Sequence, residues 1–161
     1  MSIVVSDTSP IRALAHLNLL NLLRDLFGTV LIPPAVAEEL RSPAWGPHPI
    51  EIDQLRFVTI RAPEDRNQVN RLRLRLDPGE SEALALALEI RPEAILIDEA
   101  AGRAVAKELG LEPLGVLGVF LRAKRSGLIV QVAPLMERLK RELRFFVSRQ
   151  LEAEILRLAG E

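Results

Sequence analysis

Short apolar runs alternate along the chain with longer segments in which apolar residues recur at helical spacing. Four of the runs have the length and the bounding residues of buried strands, and they lie at 3–5, 29–32, 57–60 and 94–97. A short edge strand, where proline is tolerated, is expected at 112–115. The helical segments are 11–26, 34–40, 64–76, 78–91, 99–109, 116–125, 134–143 and 148–159. This order predicts an α/β fold with a parallel sheet between two layers of helices.

Two of the helical segments allow a second interpretation. The segment 11–26 is too apolar for a one-sided surface helix, and Asn18 indicates a break between two helices. The segment 64–76 is predicted to be helical, although leucine and arginine alternate over 71–76 as they would in a strand. Residues 42–50 are rich in proline and are expected to form a loop.

Composition fits one folded unit, and we expect a single domain over residues 1–161. The chain is 48% hydrophobic and 27% charged, and its net charge is −1. It therefore lacks the overall basic charge of many nucleic-acid-binding proteins, and any such contact must come from a local patch. The 21 basic residues are mostly arginine, which is consistent with a GC-rich genome and also favours bidentate phosphate recognition.

The absence of cysteine excludes disulfides and a thiol nucleophile. The chain has only two histidines, so a bound metal is expected to be a hard cation held by oxygen atoms rather than zinc. No signal peptide or membrane-spanning stretch is evident, and the expected location is the cytoplasm.

Four acidic residues stand at or near predicted strand ends and helix starts. Asp7 and Asp98 each follow a buried strand, Glu80 lies in the first turn of a helix, and Glu39 lies near the end of another. Because the carboxyl ends of parallel strands meet at one edge of a sheet, most of these side chains are expected to share a crevice. Carboxylates crowded without a basic partner require a proton or a cation, and Mg²⁺ or Mn²⁺ is the natural counter-charge.

Each acid also has a purely structural interpretation. Asp7 could bond only the turn that it begins, and Asp98 could cap the helix that follows it. Glu80 could close a capping box with Asp77 as the N-cap, and Glu39 could simply be solvated. The joint placement of the four acids, rather than any one of them, favours a site for phosphate chemistry.

Taken together, the motifs around these acids resemble the PIN domain, and most closely the short prokaryotic PIN-like proteins of the toxin type. The resemblance covers nearly the whole chain. It implies a three-layer α/β/α sandwich with a central parallel sheet and an endoribonuclease that depends on Mg²⁺ or Mn²⁺ and uses metal-activated water. It also implies RNA as substrate and a small antitoxin partner. A homodimer is a further option, and no membrane contact is expected. The motifs are Asp7-Thr8-Ser9, Pro33-x-x-Val36-x-x-Glu39-Leu40, Gly79-Glu80-x-Glu82-Ala83-x-x-Leu86-Ala87 and Ile97-Asp98-Glu99 with Gly102-Arg103.

By position, the catalytic acids of the family match Asp7, Glu39, Glu80 and Asp98. The resemblance implies that Asp7, Glu80 and Asp98 are the metal ligands. Glu82 competes with Glu80 for the third place, and the helix pattern that follows favours Glu80.

Three further residues are candidates for contacts around the metal or with the substrate. Ser9 matches a small hydroxyl position close to the metal, and Glu99 offers an extra carboxylate beside Asp98. Arg103 could bind a phosphate or pair with one of these two acids.

Two departures from the family pattern leave room for other functions. The third acid is Glu where many members have Asp, and residues 115–118 offer no further acid or Asn. The alternative is therefore a catalytically inactive PIN-like module that binds RNA or a protein partner. A phospho-acceptor domain ranks last, because Lys107 and Lys124 both fall within predicted helices.

Three surface features also allow more than one interpretation. Arginines between 71 and 75 could clamp a phosphate, but a solvated helix face is preferred. Trp45 could stack on a base, although packing beneath its loop is preferred. An apolar stripe on the last helix, formed by Leu151, Ile155 and Leu158, suits the core, a dimer contact or an antitoxin groove, and the core is preferred.

Overall fold

The centre of the molecule is a parallel sheet. The computed structural model describes residues 2–43 and 49–161, and within them the strands are β1 (Ser2–Ser6), β2 (Gly28–Ile32), β3 (Val58–Ile60), β4 (Ala94–Leu96) and β5 (Pro113–Leu114). Their order is β3-β2-β1-β4-β5, and every neighbouring pair is parallel. The predicted parallel sheet is confirmed. The first strand of the chain lies at its centre, and the proline-containing strand lies at an edge.

Helices occupy the other regular segments of the described chain. They are α1 (Thr8–His16), α2 (Asn21–Phe27), α3 (Pro34–Arg41), α4 (Arg66–Leu72), α5 (Pro78–Ile90), α6 (Ala100–Glu108), α7 (Val116–Arg125), α8 (Ala133–Glu142) and α9 (Arg149–Ala159). A 3-10 turn covers Ile52–Gln54. Each predicted helical segment overlaps at least one of these helices.

Two predicted segments are divided or shortened. The segment 11–26 breaks at Asn18, whose φ of 59° is left-handed and stops the helix. The segment 64–76 is helical only over Arg66–Leu72, and its last four residues form turns. Extending that helix to residue 76 was therefore wrong, and the leucine–arginine alternation marks turns rather than a strand. The predicted loop at 42–50, with Trp45, lies largely outside the described residues.

Two hydrophobic cores cover the two faces of the sheet. Val4, Val30 and Leu96 point into a core formed with α1, α2, α3, α7, α8 and α9. Val5 and Ile95 point into the opposite core, formed with α4, α5 and α6. Neighbouring residues of a strand face opposite sides, so these strands are apolar on both faces. The predicted three-layer α/β/α sandwich is confirmed.

The carboxyl edge of the sheet brings distant parts of the chain together. The backbone N–H of Asp7, just beyond β1, donates to the carbonyl oxygen of Leu96 at the end of β4, at 2.9 Å. The N–H of Ile97 donates in turn to Leu114 at the end of β5, at 3.0 Å. The residues that follow these three strands therefore lie side by side.

Candidate functional site

Asp7 is a buried carboxylate at the centre of the sheet edge. Its relative exposure is 3%, and its side chain makes no capping hydrogen bond to α1. Burial raises the pKa of Asp7 to about 7, against a smaller opposing effect of the Thr8 backbone N–H. The charges of Asp77 and Glu39 raise that pKa further. A role limited to starting the helix does not explain this burial, because a cap can remain in water.

Glu80 lies in the first turn of α5, beside Asp7, and its side chain is also buried. Burial is the main cause that raises the pKa of Glu80 to about 8. A hydrogen bond with the Asp77 side chain and the charges of Asp77 and Asp7 add to this rise. Asp77 therefore has two roles, since its Oδ1 also accepts from the Glu80 backbone N–H at 2.8 Å and caps α5.

Asp77 is the site residue that the sequence reasoning missed. Sequence analysis assigned it only the N-cap of α5, which is correct. Its second role follows from the packing of α5 against β1 and α3, which a linear sequence does not contain. The signal that could have identified it is a carboxylate one helical turn from a candidate catalytic acid.

Glu39 reaches the same group of acids from α3. The Thr8 hydroxyl donates a hydrogen bond to its Oε2, and Arg12 donates to its backbone carbonyl. Burial raises the pKa of Glu39, the Thr8 hydrogen bond lowers it, and the charge of Asp77 raises it. A Cβ atom on Gly79 would lie 2.8 Å from Glu39 Oε2, so the carboxylate rests directly on the start of α5. Glu39 is therefore held in place rather than solvated.

Asp98 borders this group from the end of β4. Its Oδ1 accepts from the backbone N–H of Val116 at 3.0 Å, so it caps α7 and not the helix that follows it in sequence. Its Oδ2 is buried and has no hydrogen-bond partner in the described part of the chain. Burial raises the pKa of Asp98 to about 6, partly offset by the Val116 N–H and the charge of Arg103. The charge of Glu99 raises the pKa of both Asp98 and Asp7, so Glu99 lies close enough to influence each of them.

The two glutamates proposed for the third acid differ in their surroundings. Glu82 Oε1 accepts from the Ala35 backbone N–H at 3.1 Å, and its other oxygen lies 3.6 Å from Arg66. These contacts tie α5 to α3 and α4. Glu80 instead faces Asp7 and Asp77, and this arrangement supports Glu80 as the third acid.

The remaining candidates have separate positions. Ser9 is half-buried in the first turn of α1, whereas the hydroxyl bonded to an acid is that of Thr8. Glu99 is exposed at the start of α6. Arg103 donates from Nη1 to the carbonyl oxygen of Ile97 at 3.1 Å, beside Asp98. Of the arginines between 71 and 75, Arg75 forms an exposed ion pair with Glu108 at 2.9 Å, as expected for a solvated face.

The donor set fits a hard divalent cation in chemistry and charge. It consists of carboxylate oxygens, several of them buried, and Asp98 Oδ2 is a buried oxygen that lacks a partner among the described residues. As they stand, no three His, Asp or Glu side chains of residues 2–43 and 49–161 are gathered closely enough to hold a metal ion. Binding therefore requires that carboxylate side chains rotate toward a common point.

The α/β/α sandwich and the acids at the carboxyl edge of its sheet place this chain in a class of proteins. Proteins of this class bind their ligands at the carboxyl ends of parallel strands. A family model described as PIN domain matches residues 3–161. The chain therefore belongs to the PIN-domain family, and the resemblance seen in the sequence is confirmed. This is a nuclease-type fold, generally that of metal-dependent ribonucleases.

The comparison with curated proteins gives no significant match. Among the described helices, none has the length and apolar character needed to cross a bilayer.

Proposed function

We propose that this protein is an endoribonuclease that depends on Mg²⁺ or Mn²⁺. The observation that carries the proposal is a group of acids at one sheet edge whose pKa values are raised by burial and mutual repulsion, above all those of Asp7 and Glu80. Carboxylates that cost free energy when ionised without a partner are suited to a cation.

Asp7, Glu80 and Asp98 are the proposed metal ligands, and Glu39 is the fourth acid of the site. A divalent ion bound there neutralises charge on the phosphoryl oxygens and lowers the pKa of water. The chain's own contribution is to hold the acids in place. Thr8 fixes the Glu39 carboxylate, and the Val116 N–H fixes one oxygen of Asp98 while the other remains available.

The biological setting that we propose follows from the resemblance to toxin-type PIN proteins. In this setting the protein acts in the cytoplasm on RNA, and a small antitoxin encoded beside it restrains it. A homodimer is a further proposal. Expression of the chain alone is expected to arrest growth, and Asp98→Asn is expected to relieve that arrest.

Metal binding and cleavage test the proposed nuclease directly. Calorimetric titration with Mn²⁺ is expected to show saturable binding in the wild type and none in Asp7→Asn or Asp98→Asn. Cleavage of an end-labelled single-stranded RNA is expected to fall more than about 100-fold in both variants. Glu82→Gln is the matched control, since Glu82 lies on the same helix as Glu80 but contacts α3. This variant is expected to keep both Mn²⁺ binding and RNA cleavage. Unchanged metal binding and cleavage in Asp7→Asn and Asp98→Asn would contradict the proposal.

A second candidate is an inactive PIN-like module that binds RNA or a protein partner. It is favoured by the absence of a preformed group of three metal-binding side chains in the described chain. The two candidate functions are distinguished by whether the protein cleaves the RNA that it binds. RNA binding without metal-dependent cleavage supports the module, whereas cleavage that requires Asp98 excludes it.

A further inference from the structure

A groove beside Asp98 is not explained by the acidic site. It has a volume of about 380 Å³, which lies within the usual range for small-ligand pockets. It runs from the end of β4 across the start of α7 to the segment that joins α8 to α9. Its lining includes Asp98, Arg103, Gly115, Leu117, Phe146 and Leu151.

One end of the groove is charged and shared with the acidic site. Arg103 lies there. Within the described part of the chain, its guanidinium donates a hydrogen bond from Nη1 to the Ile97 carbonyl oxygen. Its other guanidinium nitrogens can therefore donate to an anion. A guanidinium suits the oxygens of a phosphate, and this one stands next to a proposed catalytic acid.

The other end of the groove is apolar and carries an exposed aromatic ring. Phe146 is 85% exposed, although Phe145 before it packs against the core. The turn that presents Phe146 is fixed, because Arg144 has a left-handed φ of 53° and the Phe145 N–H donates to the Leu139 carbonyl at 3.1 Å. Leu151, which is 42% exposed, lines the same groove, so Phe146 belongs to an apolar surface rather than standing alone.

We propose that this groove binds one unpaired nucleotide of a single-stranded RNA, with its base stacked on Phe146 and its phosphate bound by Arg103. This inference rests on the proposed function, since the RNA strand is its substrate. The charged and aromatic ends match the two parts of a nucleotide. Because Asp98 lines both the groove and the acidic site, a nucleotide in the groove would lie next to the proposed site of cleavage, as a substrate strand requires.

Binding of a single-stranded RNA that resists cleavage tests the assignment. The probe is a fluorescein-labelled 2′-O-methyl RNA of about 12 nucleotides, titrated by anisotropy with Mn²⁺ and with EDTA, and its integrity is checked on a gel. Phe146→Ala is expected to raise Kd by roughly 5- to 150-fold, the range measured for loss of one stacked base. Phe146→Trp keeps a stacking surface and is expected to stay within about twofold of wild type.

Val130→Ala is the matched control, because Val130 is 86% exposed and lies in the segment between α7 and α8, near the C-terminal end of α9 and away from Phe146. Glu161, just beyond that helix, accepts a hydrogen bond from the nearby Val132 N–H. The 11 residues of α9 place this end about 16 Å from the end near Phe146. Val130→Ala is expected to bind the probe as wild type does.

Several outcomes would overturn the assignment. They are a wild-type chain that does not bind the probe, a Phe146→Ala variant that binds it with unchanged Kd, and a Phe146→Trp variant as weak as Phe146→Ala. A change of oligomeric state in Phe146→Ala with unchanged RNA affinity would assign the groove to a second copy. Phe146-dependent binding without cleavage would support this inference while contradicting the nuclease, so the two failures are distinguishable.

Discussion

At the scale of single residues, burial first and then repulsion between carboxylates make ionisation in the acidic site unfavourable. The carboxyl group of Asp7 has a pKa of about 7 in the folded chain against an ordinary value of 3.8. Between these two pH values the folded state keeps a proton that the unfolded state has lost. The free energy of unfolding therefore falls as pH rises through this window, and the contribution of the protonated group is fully present only below about pH 4.

Replacing Asp7 by Asn is expected to remove this pH dependence, because Asn resembles the protonated acid at every pH. In EDTA, the free energy of unfolding of Asp7→Asn relative to wild type is expected to rise between pH 4 and pH 8 by up to about 4 kcal/mol. Urea denaturation at several pH values measures the difference. A difference that stays constant from pH 4 to pH 8 would contradict the raised pKa.

The acids at this edge also mark the limit of sequence reasoning. Asp7 and Asp98 could be predicted as candidates from the sequence, because each directly follows an apolar run that is typical of a buried strand. The partner that each acid bonds was not visible. Asp98 caps α7, which begins 18 residues later, and Thr8 rather than Ser9 bonds Glu39. Such contacts depend on how helices pack over the sheet.

At the scale of elements, the start of α5 combines two opposing effects in one side chain. Asp77 stabilises the helix by accepting from the Glu80 N–H, and its charge raises the pKa of Glu80 and Asp7. A helix cap typically contributes about 1 kcal/mol. Asp77 therefore places a repulsive charge at a position where a neutral side chain could also cap α5.

Two substitutions at position 77 are expected to separate these effects. Asp77→Asn keeps an oxygen acceptor and removes the charge, so at pH 7 it is expected to be at least as stable as wild type. Asp77→Ala also loses the cap and is expected to be about 1 kcal/mol less stable than Asp77→Asn. Urea denaturation in EDTA measures both.

Asp65 provides the matched control for this comparison. It caps α4 by accepting from the Gln68 N–H at 3.0 Å, and it is exposed outside the acidic site. Asp65→Ala is expected to lose the cap, whereas Asp65→Asn is expected to bring no relief of repulsion. If Asp77→Asn were destabilised more than Asp65→Asn, the charge of Asp77 would not be a source of strain.

At the scale of the whole molecule, a bound metal is expected to stabilise the fold that holds its ligands. Mn²⁺ at about 100 times its Kd adds about 2.7 kcal/mol, which for a chain of this size corresponds to a rise in Tm of roughly 5 to 10 °C. Asp98→Asn is expected to lose this rise. Thermal scans with Mn²⁺ and with EDTA check it, and an equal rise in both proteins would place the metal elsewhere.

The sequence predicted the layers of the molecule better than their arrangement. Apolar runs without alternation identified strands buried on both faces, and the proline at 113 identified an edge strand. The neighbours of β1 could not be read from the chain, because pairing with β4 joins residues about 90 positions apart. Sheet order is decided by helix packing on both faces, and no local pattern encodes it.

The central position of β1 has a consequence for protein synthesis. Asp98 is synthesised 91 residues after Asp7, and the Val116 N–H that holds Asp98 comes later still. At translation rates of about 5–20 residues per second, the two acids are made roughly 5 to 20 s apart. A nascent chain therefore carries an incomplete site during that interval, and the proposed nuclease cannot act before the later acid and the helix that holds it have been made.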